Sequence, residues 1–114
     1  MSLFSIAALQ VDLPYGDNRD RLEKEAARVL ARFPWVQMVV FPELCSFGPG
    51  VSFAETMPGP TETRYQALAK KHRIWLIPGS IYERIGEDFF NTTPVMNPEG
   101  EVVARYRKMY PFLP

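Results

Sequence analysis

The stretch VQMVVFPELC, residues 36–45, decides the fold. Val36, Met38, Val39, Val40 and Phe41 form a short apolar run of the kind that fills a strand covered on both faces of a sheet. Side chains alternate along a strand. Val36, Met38 and Val40 therefore share one face, while Gln37, Val39, Phe41 and, if the strand stays regular past Pro42, Glu43 share the other. A carboxylate thus falls at the C-terminal end of an apolar row.

Upstream, residues 3–11 are a second apolar run, broken mainly by small residues and Gln10, which predicts a central strand covered on both faces. LPYGDN, residues 13–18, reads as a turn after which Asp17 caps a helix. The apolar positions Leu22, Ala26, Val29, Leu30 and Phe33 of that helix recur at helical spacing, opposite a solvated face with Arg21, Lys24, Glu25 and Arg32. Pro34 stops the helix. Strand, helix and strand in that order predict a parallel, right-handed unit.

Downstream, SFGPGVSFAETMPGP, residues 46–60, is too rich in Gly and Pro for a long element and has room for one short helical turn. Thr61 is the expected cap of a second helix, with Glu62 in its first turn and Lys70, Lys71, His72 and Arg73 near its end. The helix dipole favours that charge order. Tyr65, Leu68 and Ala69 supply its buried side. Residues 74–82 predict a third strand and residues 89–96 a fourth, joined by the turn IGED at 85–88. NPEG, residues 97–100, spaces Pro98 and Gly100 as a type I turn does, so residues 101–108 should fold back as a hairpin partner. The fold class is α/β, with one mixed sheet and two main helices.

A chain of 114 residues fits one domain and is too short for two. Thirteen basic residues balance thirteen acidic ones, so a nucleic-acid footprint or an acidic tail is not expected and the partners are small molecules or proteins. The first residues lack a basic n-region, and no apolar run approaches the roughly 18 residues of a membrane span. A soluble, cytoplasmic chain without membrane contact is expected. Cys45 is the only cysteine, which forbids an internal disulfide and agrees with a reducing compartment. Asp12, Glu43, Glu62 and His72 fall in no metal-ligand spacing, and SFGPGVSF lacks the lysine-serine context of a phosphate loop. Neither metal nor cofactor is implied.

The last strand repeats the anomaly of Glu43 with opposite charge. Val103, Arg105 and Arg107 share one face, and Val102, Ala104, Tyr106 and Lys108 the other, so Lys108 follows an apolar row. Burying an unpaired carboxylate or ammonium costs several kcal/mol, so each group must be solvated, paired or functional. The pattern leaves those three options open. It also leaves a third function class, a nucleic-acid or anion site on Arg105, Tyr106, Arg107, Lys108 and Tyr110, which the zero net charge disfavours. Tyr82, Asn91 and Phe47 are candidate pocket residues whose ordinary reading is packing or turn formation.

FPELC at 41–45, SFGPG at 46–50, PGP at 58–60, IPGSIYER at 77–84, FFNTTPVMNPEGEVVARYRKMYPF at 89–112 and the opening IAALQVD at 6–12 together resemble the N-terminal half of the nitrilase superfamily, the carbon-nitrogen hydrolases. The resemblance implies part of an α-β-β-α sandwich and a hydrolase acting on non-peptide amides, nitriles or carbamoyl compounds. Glu43 matches the general base of that family, and Lys108 the lysine that stabilises the tetrahedral intermediate. The family's nucleophilic cysteine lies in its second half, and many members carry a second glutamate beyond the stretch that Pro114 ends. Cys45 resembles a variable position after the base and is expected to be a small, partly buried packing residue. His72, among Lys70, Lys71 and Arg73, is expected to be an exposed, repelled imidazole. RKMYPFLP at 107–114 looks like the amidase-type members. Residues 1–114 are thus expected to be the incomplete N-terminal portion of the domain, inactive alone, with an apolar sheet face that self-associates, as a homo-oligomer does, or takes a shielding partner. A non-catalytic assembly or interaction module derived from the same fold is the alternative.

Overall fold

The structure, a computed structural model, describes residues 2–109. Its elements in chain order are β1 (Ile6–Ala8), α1 (Arg19–Arg32), β2 (Met38–Val40), a single 3₁₀ turn (Val51–Phe53), α2 (Pro60–His72), β3 (Trp75–Ile77), β4 (Ile81–Ile85), β5 (Asp88–Met96) and β6 (Val102–Arg107). The α/β reading holds: one mixed sheet carries two helices on one side. β1 and β2 run parallel, as do β2 and β3, with Ala7, Val39 and Leu76 side by side.

The expected third strand over residues 74–82 is broken. β3 meets β5 at Leu76 and Met96, and β4 meets β5 from Ile81 opposite Thr92 to Ile85 opposite Asp88. β6 pairs with β5 at both Thr92 and Met96, so it must occupy the other edge of β5, which leaves β3 and β4 along one edge. Pro78, Gly79 and Ser80 interrupt what is otherwise a single partner strand, because Pro78 brings no N–H to a ladder and Gly79 adopts φ +70. The β5–β6 hairpin turns at residues 97–100 as expected, with the Gly100 N–H donating to the Asn97 carbonyl at 2.9 Å. The Asn97 side chain accepts the N–H groups of Glu99 and Glu101.

The helix boundaries move by one or two residues. Arg19 begins α1 and Asn18 precedes it, so Asp17 lies one position outside the cap and uses its carboxylate to take the Arg19 N–H at 3.0 Å. Thr61 is inside α2 rather than at its cap, because Pro60 already occupies the first helical position, where its missing N–H costs nothing. The charge order of α2 is as read, with Glu62 in the first turn and Lys70, Lys71 and His72 in the last.

The core lies between the helices and one face of the sheet. Leu22 and Ala26 from α1, and Tyr65, Leu68 and Ala69 from α2, pack on Val39, Phe41, Ile74, Leu76 and Met96. Alternation sends Ile6, Met38, Val40, Trp75 and Ile77 to the other face, which carries no helix. β1 is therefore not the central strand expected: among the described residues it pairs only with β2, and Leu3, Phe4 and Ile6 are exposed. Tyr106, in the row that leads to Lys108, lies on the same open face and is 60% exposed. No helix of the described residues is long and apolar enough to cross a membrane.

Candidate active site

Glu43 does not continue the apolar row of β2. The strand ends at Val40 and the chain enters a turn over residues 43–47, which swings the carboxylate out at the C-terminal edge of the sheet. Leu44 takes φ 52 there, and its N–H is held by the Ser80 hydroxyl at 3.1 Å. Gly79 makes the turn possible from the other side, since a Cβ on it would lie 2.0 Å from the Pro42 carbonyl oxygen. Asn18, buried ahead of α1, donates to the carbonyls of Pro14 at 2.8 Å and Cys45 at 3.1 Å, tying the segment after β1 to the segment after β2.

Lys108 arrives from β6. Its Nζ donates to Glu43 Oε2 at 3.0 Å, and its backbone N–H donates to the Asn91 carbonyl at 2.9 Å. The two charges that the sequence placed at the ends of separate apolar rows thus meet. Within the described residues the Glu43 and Lys108 side chains are 55% and 41% exposed, and each has the other as its partner, so neither is an unpaired buried charge. Lys108 beside it holds the Glu43 carboxyl below its usual range, against the opposing effect of partial burial and with help from the Asn91 amide. Next to Glu43 opens a cleft of about 390 Å³ lined by Asp12, Leu13, Pro42, Leu44 and Pro49.

β6 itself is anchored by two arginines on its opposite side. Arg105 forms a fork to Glu62 at 2.8 and 2.6 Å, and Arg107 one to Glu83 at 2.8 and 3.1 Å. Thr92 also donates to Glu83, at 2.9 Å. Both carboxylates are almost fully buried. Arg107 holds Glu83 below the usual carboxylate range despite its burial. These contacts split the basic run: Arg105 and Arg107 face the helices, Tyr106 and Lys108 face the open side, and Tyr110 lies outside the described residues. Among the described residues the run therefore presents no single interleaved face.

Cys45 is buried, as expected of a packing residue. Its thiol donates to the Pro78 carbonyl at 3.6 Å, and burial pushes its pKa up to about 12. A thiol so held stays protonated at neutral pH, which suits a packing residue. His72 is half-buried rather than exposed; burial first, and Lys71 second, lower its pKa. Phe47 is buried and stacks on Phe53 with ring centroids 4.8 Å apart, and Tyr82 is buried beside Asn91 in the β4–β5 ladder. Both are packing residues. Asn91 is not: its Nδ2 donates to Glu43 Oε2 at 2.8 Å. The available signal was an amide side chain inside a strand otherwise built for packing, a place where Asn is depleted. Among the described residues no three His, Cys, Asp or Glu side chains gather as metal ligands.

The family model described as carbon-nitrogen hydrolase matches residues 6–114. A formamidase of Bacillus cereus (strain AH820) is 27% identical over the whole chain and 39% of its own length. The crystal structure of Saccharomyces cerevisiae Nit3, a member of branch 10 of the nitrilase superfamily, superposes with a TM-score of 0.84 at 23% identity, over 94% of this chain and 44% of that one. The NitN amidase from Nesterenkonia sp. AN1 gives 0.81 at 25% identity, over 98% and 46%. The chain spans less than half the length of these relatives.

Proposed function

Because the chain belongs to the carbon-nitrogen hydrolase family, we propose that it supplies the base and the cation of a thiol-dependent hydrolase of small non-peptide amides, with nitriles and carbamoyl compounds as the related substrates. The observation that carries this reading is the contact of Lys108 with Glu43 at the mouth of a cleft. The formamidase and amidase relatives favour amides within that range.

Glu43 is the general base. Ionised at neutral pH, it takes the proton of a thiol and hands it to the departing nitrogen, then takes a proton from the water that attacks the acyl-enzyme. The thiolate adds to the carbonyl carbon, and the C–N bond breaks as ammonia or an amine leaves. Water cleaves the resulting thioester to the acid and restores the thiol. Lys108 stabilises the oxyanion of each tetrahedral intermediate and keeps Glu43 charged, at the cost of making it a weaker base. With Cys45 protonated and buried, the nucleophilic thiol is assigned to a part of the protein outside these 114 residues, and the chain alone is inactive. A cytoplasmic setting keeps such a thiol reduced.

The open sheet face with Ile6, Met38, Val40, Trp75 and Ile77 favours a second element of the reading. That face is covered in the working protein, by the remainder of the domain or by a second copy of this chain, and an assembly module without catalysis would use the same surface. Ammonia release from formamide and longer amides by the protein expressed from its whole reading frame tests the enzyme reading. Glu43→Gln should lower kcat at least about 1,000-fold with the fold intact, as loss of a general base and its charge does. Undiminished turnover would refute the assignment, and no turnover of any amide or nitrile by a folded protein would leave the assembly module.

A further inference from the structure

We infer that Asn91 is a positioning residue of this site, which divides the Glu43 carboxylate into one held oxygen and one working oxygen. Asn91 is 7% exposed and sits in β5 between Tyr82 of β4 and the end of β6. Its two polar ends act on the two partners separately. The side-chain amide donates to Glu43 Oε2 at 2.8 Å, and the backbone carbonyl accepts the Lys108 N–H at 2.9 Å.

Oε2 therefore accepts from both Asn91 and Lys108, while among the described residues no hydrogen bond reaches Oε1. With one oxygen engaged by two donors, the other has no donor among the described residues and is left for a partner in the cleft that Glu43 lines. That oxygen is the one able to take a proton. Without the amide, Glu43 is tied to a single flexible lysine side chain and turns about its own χ angles, so the working oxygen is no longer aimed. Asn91 touches neither substrate nor reacting atoms in this scheme; it acts through Glu43. The groups able to carry charge around Glu43 are Lys108 from β6, Asp12 across the cleft, the Cys45 thiol two residues on and the Tyr82 phenol beside Asn91.

The inference rests on Glu43 being the base, so the test reads the carboxylate directly as well as the reaction. The side-chain carboxyl of Glu43 is titrated by carbon NMR in the full-length protein, in wild type, in Asn91→Leu and in Asn91→Asp. Leu keeps the branching of the Asn side chain, with bulkier ends, and leaves the backbone carbonyl in place, so the amide is lost while the backbone contact to Lys108 stays. The Glu43 midpoint should rise in Asn91→Leu, because a donor to the charged form is gone. In Asn91→Asp the midpoint of the coupled pair should rise further, because two carboxylates meet. The acidic limb of kcat/KM should move with it, and kcat should fall about 10-fold with KM changed less than about twofold. An unmoved Glu43 titration in folded Asn91→Leu overturns the inference. If Asn91→Leu does not fold, Asn91→Asp, which has the shape of the native side chain, decides; failure of both to fold makes the residue purely structural and also overturns it. Should Glu43→Gln retain full hydrolysis while the titrations shift as expected, the assignment of Glu43 as the base fails and the positioning contact stands.

Discussion

Replacing Arg105 with Met leaves the Glu62 carboxylate buried and alone. Glu62 has 1% of its side chain exposed, and both of its oxygens accept from Arg105, at 2.8 and 2.6 Å. Met retains the apolar stem, so the loss is confined to the guanidinium. Breaking a buried pair by removing one partner costs about 3–5 kcal/mol. The Arg105 side chain is 35% exposed, which gives water a route to the orphaned carboxylate and sets the expectation at the low end, about 3 kcal/mol. Urea unfolding followed by tryptophan fluorescence should show the midpoint falling by about 1.5 M for a slope near 2 kcal/mol/M. Adding Glu62→Gln to the same protein should recover about half of the loss, because a neutral amide is cheaper to bury than a charge. A loss under about 1 kcal/mol, or no recovery in the double variant, would refute the claim that the fork is an anchor of β6 onto α2. If the anchor is real, the loosened strand should also misplace Lys108.

Gly79→Ala should destabilise the fold by roughly 2 kcal/mol or more, since φ +70 and a Cβ 2.0 Å from the Pro42 oxygen cannot both be accommodated; the midpoint of thermal unfolding should fall as the Glu43 turn shifts. Cys45 should react with a disulfide reagent at pH 8 on the order of 1,000-fold more slowly in the native protein than in urea, because its thiol pKa of about 12 leaves little thiolate; mapping of the modified peptide reads this out. Acid should weaken the fold through the carboxylates whose pKa values are depressed. Asp17, lowered to about 2 by Arg19, contributes stability that is complete above its unfolded value of 3.8 and is lost as pH falls through about 2. Glu83, lowered by Arg107, adds a loss that begins below its unfolded value of 4.5. Asp17→Asn should accordingly flatten stability between pH 4 and pH 2, by a modest amount because Asp17 is half exposed.

The strand-helix-strand opening, the second helix and the two hairpins were legible because each rests on local pattern: apolar runs ended by Pro42, helical spacing from Leu22 to Leu30, turn residues at 85–88 and 97–100. The break at residues 78–80 was not, since IWLIPGSIYE reads as one apolar stretch unless Pro78 and Gly79 are given more weight than their neighbours. Cap positions missed by one or two residues because Asp17 and Thr61 have the right chemistry while Asn18 and Gly59 have the right place.

Alternation of side chains and the order of charges are properties of the chain, and from them alone the sequence determined the α/β class, the two helices, the hairpins and the odd positions of Glu43 and Lys108. Which strands are neighbours is a property of the sheet. Only the tertiary structure decided that β6 lies along β5 so that residues 65 apart meet within 3.0 Å, that Arg105 and Arg107 turn to buried carboxylates behind them, and that Asn91 serves both partners at once. The physical reason is that hydrogen-bond register and the burial of one sheet face are set by contacts between segments far apart in the chain, and no window of sequence contains both halves of such a contact.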